Sequence, residues 1–165
     1  MKKNKFEITF LKTILIINLI LLFPVLIRKR PIKDWLLAYL FNAVTNSLAD
    51  NYLTEKRTVE YPVRLLHKRF KTHVLFDYLI YPTMTVIYNQ ITMKDKPLVI
   101  ALKTLFFTIP MFCIEFWAVR KTDLIRWNHG WKWYHSFLGV TIKSLMTRFF
   151  IGVVRWIDIR QKGYS

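Results

Sequence analysis

Glycine is scarce in this chain, with four among 165 residues. A soluble domain of that length normally has more glycine at its turns and fewer long apolar runs. Cysteine is scarcer still. Cys113 stands alone, which excludes an intrachain disulfide and any metal centre built on several thiolates. It lies in an apolar run and reads as a small buried hydrophobe. Acid is the third shortage: ten Asp and Glu stand against 26 Lys and Arg, a formal net charge of +16. Such an excess suits nucleic acid, anionic lipid or a membrane protein with basic loops on one side. Also missing are HExxH, a DHHC-like thiol motif and an Asp-rich pair. No catalytic residue, metal ligand or cofactor is therefore expected.

What the chain does have is apolar length. It is 53% hydrophobic and 16% aromatic, with a positive mean hydropathy of +0.23. A soluble nucleic-acid binder has no use for several runs of that kind, so nucleic acid is set aside in favour of lipid. Four segments are long enough to cross the hydrocarbon, at about 8–27, 35–53, 74–91 and 97–119. The first begins basic like a secretory signal but runs into "RKRP" with no small-residue cleavage pattern, so it reads as a retained span. Pro82 should kink the third and leave a carbonyl for a neighbouring helix to satisfy. Pro97 suits a helix start, and Pro110 implies a kink. The expected fold is all-α: one membrane domain over residues 1–165, a polytopic bundle of four transmembrane helices plus a fifth amphipathic helix.

That fifth segment, about 133–157, has two faces. Thr141, Ser144, Arg148, Gly152 and Arg155 share one, bordered by Lys143 and Thr147, while Leu138, Ile142, Leu145, Met146, Phe149 and Val153 share the other. Such a helix either spans with its basic face turned into a bundle or lies flat at the interface. With the N-terminus cytoplasmic, the inner side collects Lys2, Lys3, Lys5, Lys56, Arg57, Arg64, Lys68, Arg69, Lys71, Arg120, Lys121, Arg126 and Lys132, thirteen in all. A spanning fifth helix sets nine cations against these, and an interfacial one makes the count eighteen against six. The positive-inside rule favours the interfacial placement.

Polar residues inside the apolar segments are the candidate site. Asn42, Asn46 and Asp50 recur at spacings of four in "FNAVTNSLADNY" and so share a helix face. The two amides read as interhelical hydrogen-bonding groups, with Asn18 a candidate partner. Asp50, Asp77 and Glu115 converge on the cytoplasmic side in this topology. Buried acids need cations, so an ionic cluster with Lys143 or Arg148 is expected, locking the fifth helix to the bundle. Arg64, Lys68 and Lys71 lie at the same level. The cluster also admits a proton- or ion-handling reading. His73 and Asp77, four apart, are a weak catalytic signal. "WNHGWKWYHSF" puts Trp127, Trp131, Trp133 and Tyr134 beside basic residues, the composition of an interfacial belt contacting anionic headgroups.

The strings "YPVRLLHKRFKTHVLFDYLIYPTMTVIYNQ", "IPMFCIEFWAVRKTDLIRW" and "GWKWYHSF" resemble an uncharacterised family of small multi-pass membrane proteins of endospore-forming Gram-positive bacteria. The resemblance covers roughly residues 35–157. It implies a bacterial integral membrane protein expressed around sporulation or germination, with Tyr61-Pro62, Arg64, Asp77 and Glu115 part of the family pattern. His67 stands where that pattern has proline, which argues against catalysis by His67. The expected role is a non-enzymatic accessory or structural component of the cell membrane with a basic cytoplasmic face. It would contact the bilayer, anionic headgroups and a membrane-protein partner or second copy. The alternative is a small transporter or channel subunit handling protons or cations through Asp50, Asp77 and Glu115.

Overall fold

The computed structural model describes residues 2–66 and 69–162, with side chains from Lys5 onward. His67, Lys68 and the side chains of Lys2 and Lys3, all invoked above, lie outside the described residues. Helices dominate the chain: α1 Lys2–Ile27, α2 Ile32–Glu55, a third helix over 74–91, α4 Pro97–Lys121 and α5 Trp133–Lys162. The third helix opens with a π-helical segment, Phe76–Ile80, and continues as α3, Tyr81–Ile91.

Local chemistry sets these boundaries. Pro31, in extended conformation, precedes α2, and Asp34 occupies its first turn, where a carboxylate meets the positive end of the helix dipole. Arg57 then takes a left-handed conformation, φ 55°, and ends the run. Pro97 opens α4 at a position whose N–H has no helical partner. The His73 backbone carbonyl accepts the N–H groups of Phe76 and Asp77 at 2.8 and 3.1 Å. Its ring Nδ1 also takes the Phe76 N–H at 3.3 Å. His73 is thus the cap of the third helix, which accounts for its burial beside Asp77.

The bundle has two ends. At the head end lie the start of α1 and the connections 56–73 and 122–132. At the far end lie the connections 28–31 and 92–96 and the last turns of α5. A short antiparallel ladder of β1 (Val59–Glu60) and β2 (Arg126–Trp127) joins the two head-end connections, pairing Val59 with Trp127 and Glu60 with Arg126. An all-helical expectation did not include it. Asn128 donates to the Thr58 carbonyl and Val63 to the Asp123 carbonyl, so the connections form a cap over the helices. Leu11, Val63, Leu75 and Leu124 pack beneath it. Toward the far end, Trp35, Ala38, Val86 and Ile151 form a second apolar cluster.

The fifth helix packs lengthwise within the bundle. It does not lie across one end but runs antiparallel along α2. Ser136 is near Glu115 at the head end, Thr147 donates to Asn42 midway, and Arg155 pairs with Asp34 at the far end. Its polar face turns inward, while Leu138, Ile142, Leu145, Met146, Phe149 and Val153 are all exposed. The reason is hydrogen bonding. The α2 face carrying Asn42 and Asn46 offers Thr147 and Lys143 partners that a flat position would not.

Among the described residues three helices are long and apolar enough to cross a membrane, Lys5–Ile27, Pro97–Lys121 and Trp133–Lys162. The α2 segment carries Asp34, Asn42, Asn46 and Asp50 among its buried residues, and the third helix is shorter and changes pitch.

Candidate functional site

The site forms where α2, the third helix, α4 and α5 meet under the cap. The Asp50 carboxylate accepts the Tyr61 hydroxyl at 2.6 Å and the His73 N–H at 3.4 Å. Asp77 lines the same cavity beside it. The π segment gives Asp77 this position, since its wider turn breaks the regular register just before Pro82; such segments recur at functional sites.

Lys143 enters from α5 and donates to Asn46 Oδ1. Its ammonium also lies 5.8 Å from the centre of the Tyr81 ring, and the Tyr81 hydroxyl meets Ser144 Oγ at 3.1 Å. Glu115 of α4 accepts from Ser136 Oγ at 2.7 Å and Trp127 Nε1 at 3.3 Å, and Trp131 Nε1 donates to Ser136 at 2.9 Å. A partly open cavity of about 190 Å³ is lined by Asn46, Asp50, Tyr61, Asp77, Glu115 and Lys143, among others.

The structure therefore brings together Asn46, Asp50, Asp77, Glu115 and Lys143. Asn42 lies one turn deeper, where it accepts from Thr147 at 3.1 Å. Arg148 is a correction. Its guanidinium donates to the Thr92 and Met93 carbonyls at 3.2 and 3.3 Å, toward the far end. A helix rises about 1.5 Å per residue, so residue 148 has passed the acids that residue 143 still reaches. Asn18 is a second correction: its Oδ1 has no hydrogen-bond partner, and the α2 amides pair with α5 instead.

Two buried acids outside the sequence-derived set are also held. Glu7 Oε1 accepts the Asp123 N–H at 2.8 Å, and Asp34, 1% exposed, pairs with Arg155. The "WNHGWKWY" aromatics divide: Trp127 and Trp131 turn inward to Glu115 and Ser136, whereas Trp133 and Tyr134 are exposed.

Two groups on the cap side carry shifted acidities. Burial lowers the His73 pKa to about 4, consistent with a neutral ring whose Nδ1 accepts a hydrogen bond. Burial, with the Asp50 carboxylate close by, raises the Tyr61 phenol well above its usual range and keeps it a donor. Beyond Asn42 and Thr147, buried Ala38, Trp35, Val86 and Ile151 pack together toward the far end, while buried Thr85, Asn89 and Gln90 continue the polar residues along the third helix. Among the described residues no group of three or more His, Cys, Asp or Glu side chains is placed to hold a metal ion. On the cap's outer side a larger cavity, about 540 Å³, is lined by Arg57, Arg64, Lys71 and Arg126 with Glu55 and Glu60. Comparison of the chain with family models, curated proteins and solved structures gives no match.

Proposed function

We propose that this chain is a multi-pass protein of the bacterial cell membrane whose five helices all cross the bilayer, with the head end cytoplasmic. In this reading it is a non-enzymatic accessory or structural component. The observation that carries the membrane reading is the inverted polarity of α5. Its apolar face is exposed and its Thr, Ser, Lys and Arg face is turned into the bundle, an arrangement stable where the surroundings are hydrocarbon. Exposed Trp133 and Trp156 support the same reading. They stand 23 residues apart, about 34 Å along a helix, close to the separation of the two interfaces where such rings gather. The thirteen head-end cations against nine favour a cytoplasmic cap, and the Arg57, Arg64, Lys71 and Arg126 surface suits anionic headgroups. The resemblance to a membrane-protein family of endospore formers is part of this proposal.

The test is impermeant thiol labelling in whole cells, after Cys113→Ser removes the native thiol. Cysteines placed at Arg57 and at Gln161 should label on opposite sides, Gln161 without permeabilisation and Arg57 only with it. Labelling of both from one side would refute a crossing α5.

A second reading, a small transporter or channel subunit that handles protons or cations, draws support from Asp50, Asp77 and Glu115 lining one head-end cavity. Proton or monovalent-cation flux in proteoliposomes, abolished by Asp77→Asn, would favour it over the accessory role.

A further inference from the structure

Two cavities meet at the head end. In the polar one, two atoms have no partner among the described residues: Asp77 Oδ2, an acceptor, and Asn46 Nδ2, a donor. Both residues are more than nine-tenths buried, at 3% and 8% exposure. Buried polar atoms are nearly always satisfied, so this wall lacks one donor and one acceptor, and Lys143 lies beside both positions. The second cavity, about 160 Å³, is apolar and is lined by Leu11 and Ile14 of α1 and Met111, Ile114 and Trp117 of α4. Tyr61, Phe76 and Glu115 line both spaces. The α1 helix packs on α2 and the third helix, and α4 packs on α5 and α3. The apolar cavity is thus the seam between α1 and α4, crossed by Phe10 and Trp117 with ring centres 6.4 Å apart. Ile114 and Trp117 are also exposed on the outer surface, so the seam opens sideways.

We propose that the two cavities form one site for a lipid whose headgroup carries a primary ammonium and a phosphate. The ammonium donates to Asp77 Oδ2 beside Asp50. The phosphate accepts from Lys143 Nζ and Asn46 Nδ2, and one alkyl chain leaves along the α1–α4 seam. Charge complementarity selects this chemistry. Three carboxyl groups and one lysine surround the polar space, so a headgroup with only negative charge meets more repulsion than attraction there. A quaternary ammonium has no N–H to give Asp77. A free phospho-amine leaves the apolar seam unfilled, and the removal of alkyl surface from water is what that seam offers. The inference rests on the reading of the helices as bilayer-crossing.

The full chain, purified in detergent, is incubated with phosphatidylethanolamine, phosphatidylcholine, phosphatidylglycerol or phosphoethanolamine, and retained ligand is counted by native mass spectrometry. Phosphatidylethanolamine should be retained at least tenfold better than the other three. Asp77→Asn should lower its retention about tenfold. Ile114→Trp, which fills the seam from an exposed position and leaves the headgroup contacts intact, should lower it comparably. Equal retention of the three lipids by the parent protein, or full retention by both variants, would overturn the proposal. So would phosphoethanolamine binding as well as the lipid does. A carbonate wash of native membranes separates the two readings. Release of the protein overturns the membrane reading and this one together, whereas a protein that stays embedded and shows no preference for the primary ammonium overturns this one alone.

Discussion

The Tyr39 hydroxyl of α2 donates to the backbone carbonyl of Tyr78, 2.5 Å away in the π segment. An N–H at position 82 would have reached that oxygen in a regular α-helix, and Pro82 has none. The neighbouring helix thus supplies what the proline withholds. Tyr39→Phe should lower stability in detergent by about 1 kcal/mol, read as a fall in the thermal unfolding midpoint. In a Pro82→Ala background the same change should cost less, because the residue 82 N–H can then serve the carbonyl.

Asn42 and Thr147 hold α2 to α5 through one buried hydrogen bond of 3.1 Å. A double-mutant cycle with Asn42→Leu and Thr147→Val should give a coupling of roughly 0.6–1.7 kcal/mol, the range for such pairs between membrane helices. Strictly additive losses would show that the contact contributes nothing.

Among the described residues Asp34 and Arg155 form a largely buried ion pair, with Asp34 Oδ1 left without a partner. Arg155→Leu strands a carboxylate that is 1% exposed and should cost roughly 3–5 kcal/mol, while Arg155→Leu with Asp34→Leu should restore most of the loss. Urea unfolding of both variants in the same detergent measures the difference.

His73 sets a pH window. Its folded pKa, pushed down to about 4 by burial, lies below the ordinary value near 6.5. Between those values the unfolded chain binds a proton that the folded ring, facing Arg64, Asp50 and Tyr61, refuses. Stability is present in full above pH 6.5 and falls as pH drops toward 4, by roughly 3 kcal/mol at most. His73→Asn keeps a capping acceptor without the titration, so its unfolding midpoint should vary less across that window.

Asp50 ties the cap rather than the fifth helix, since its hydrogen-bond partners are Tyr61 and His73. Asp50→Asn should therefore speed limited proteolysis within 61–71 and leave cleavage near 133 unchanged. Lys143→Met should do the reverse.

Much of the helical layout could be read from the chain. The expected third segment, 74–91, coincides with a helix, because its apolar length and the flanking polar clusters delimit it. The Asn42 and Asn46 face was legible from its spacing of four. Other parts depended on tertiary packing that no local signal carries. Arg148 shares a helix face with Ser144 in the sequence, but charge counting assigns a side without measuring depth along a helix. Tyr61 carries no local signal of its role, yet a buried Asp50 needs a donor and Tyr61 is the one the cap delivers. Glu7 and Asp34 lie at helix beginnings, where acids are ordinary, and only the partners, Asp123 and Arg155, make them unusual.

The same separation in sequence governs the order of assembly. Glu7 waits for Asp123, Val59 for Trp127, Asp34 for Arg155 and Asn46 for Lys143. A ribosome that has delivered the first three helices has delivered the acids but none of these partners. The early helices must therefore be sheltered until the last third of the chain emerges. A chain cut short before Trp133 would keep four helices but leave Asp34 without Arg155 and Asn46 without Lys143, which is a substrate for quality control rather than a smaller version of the protein.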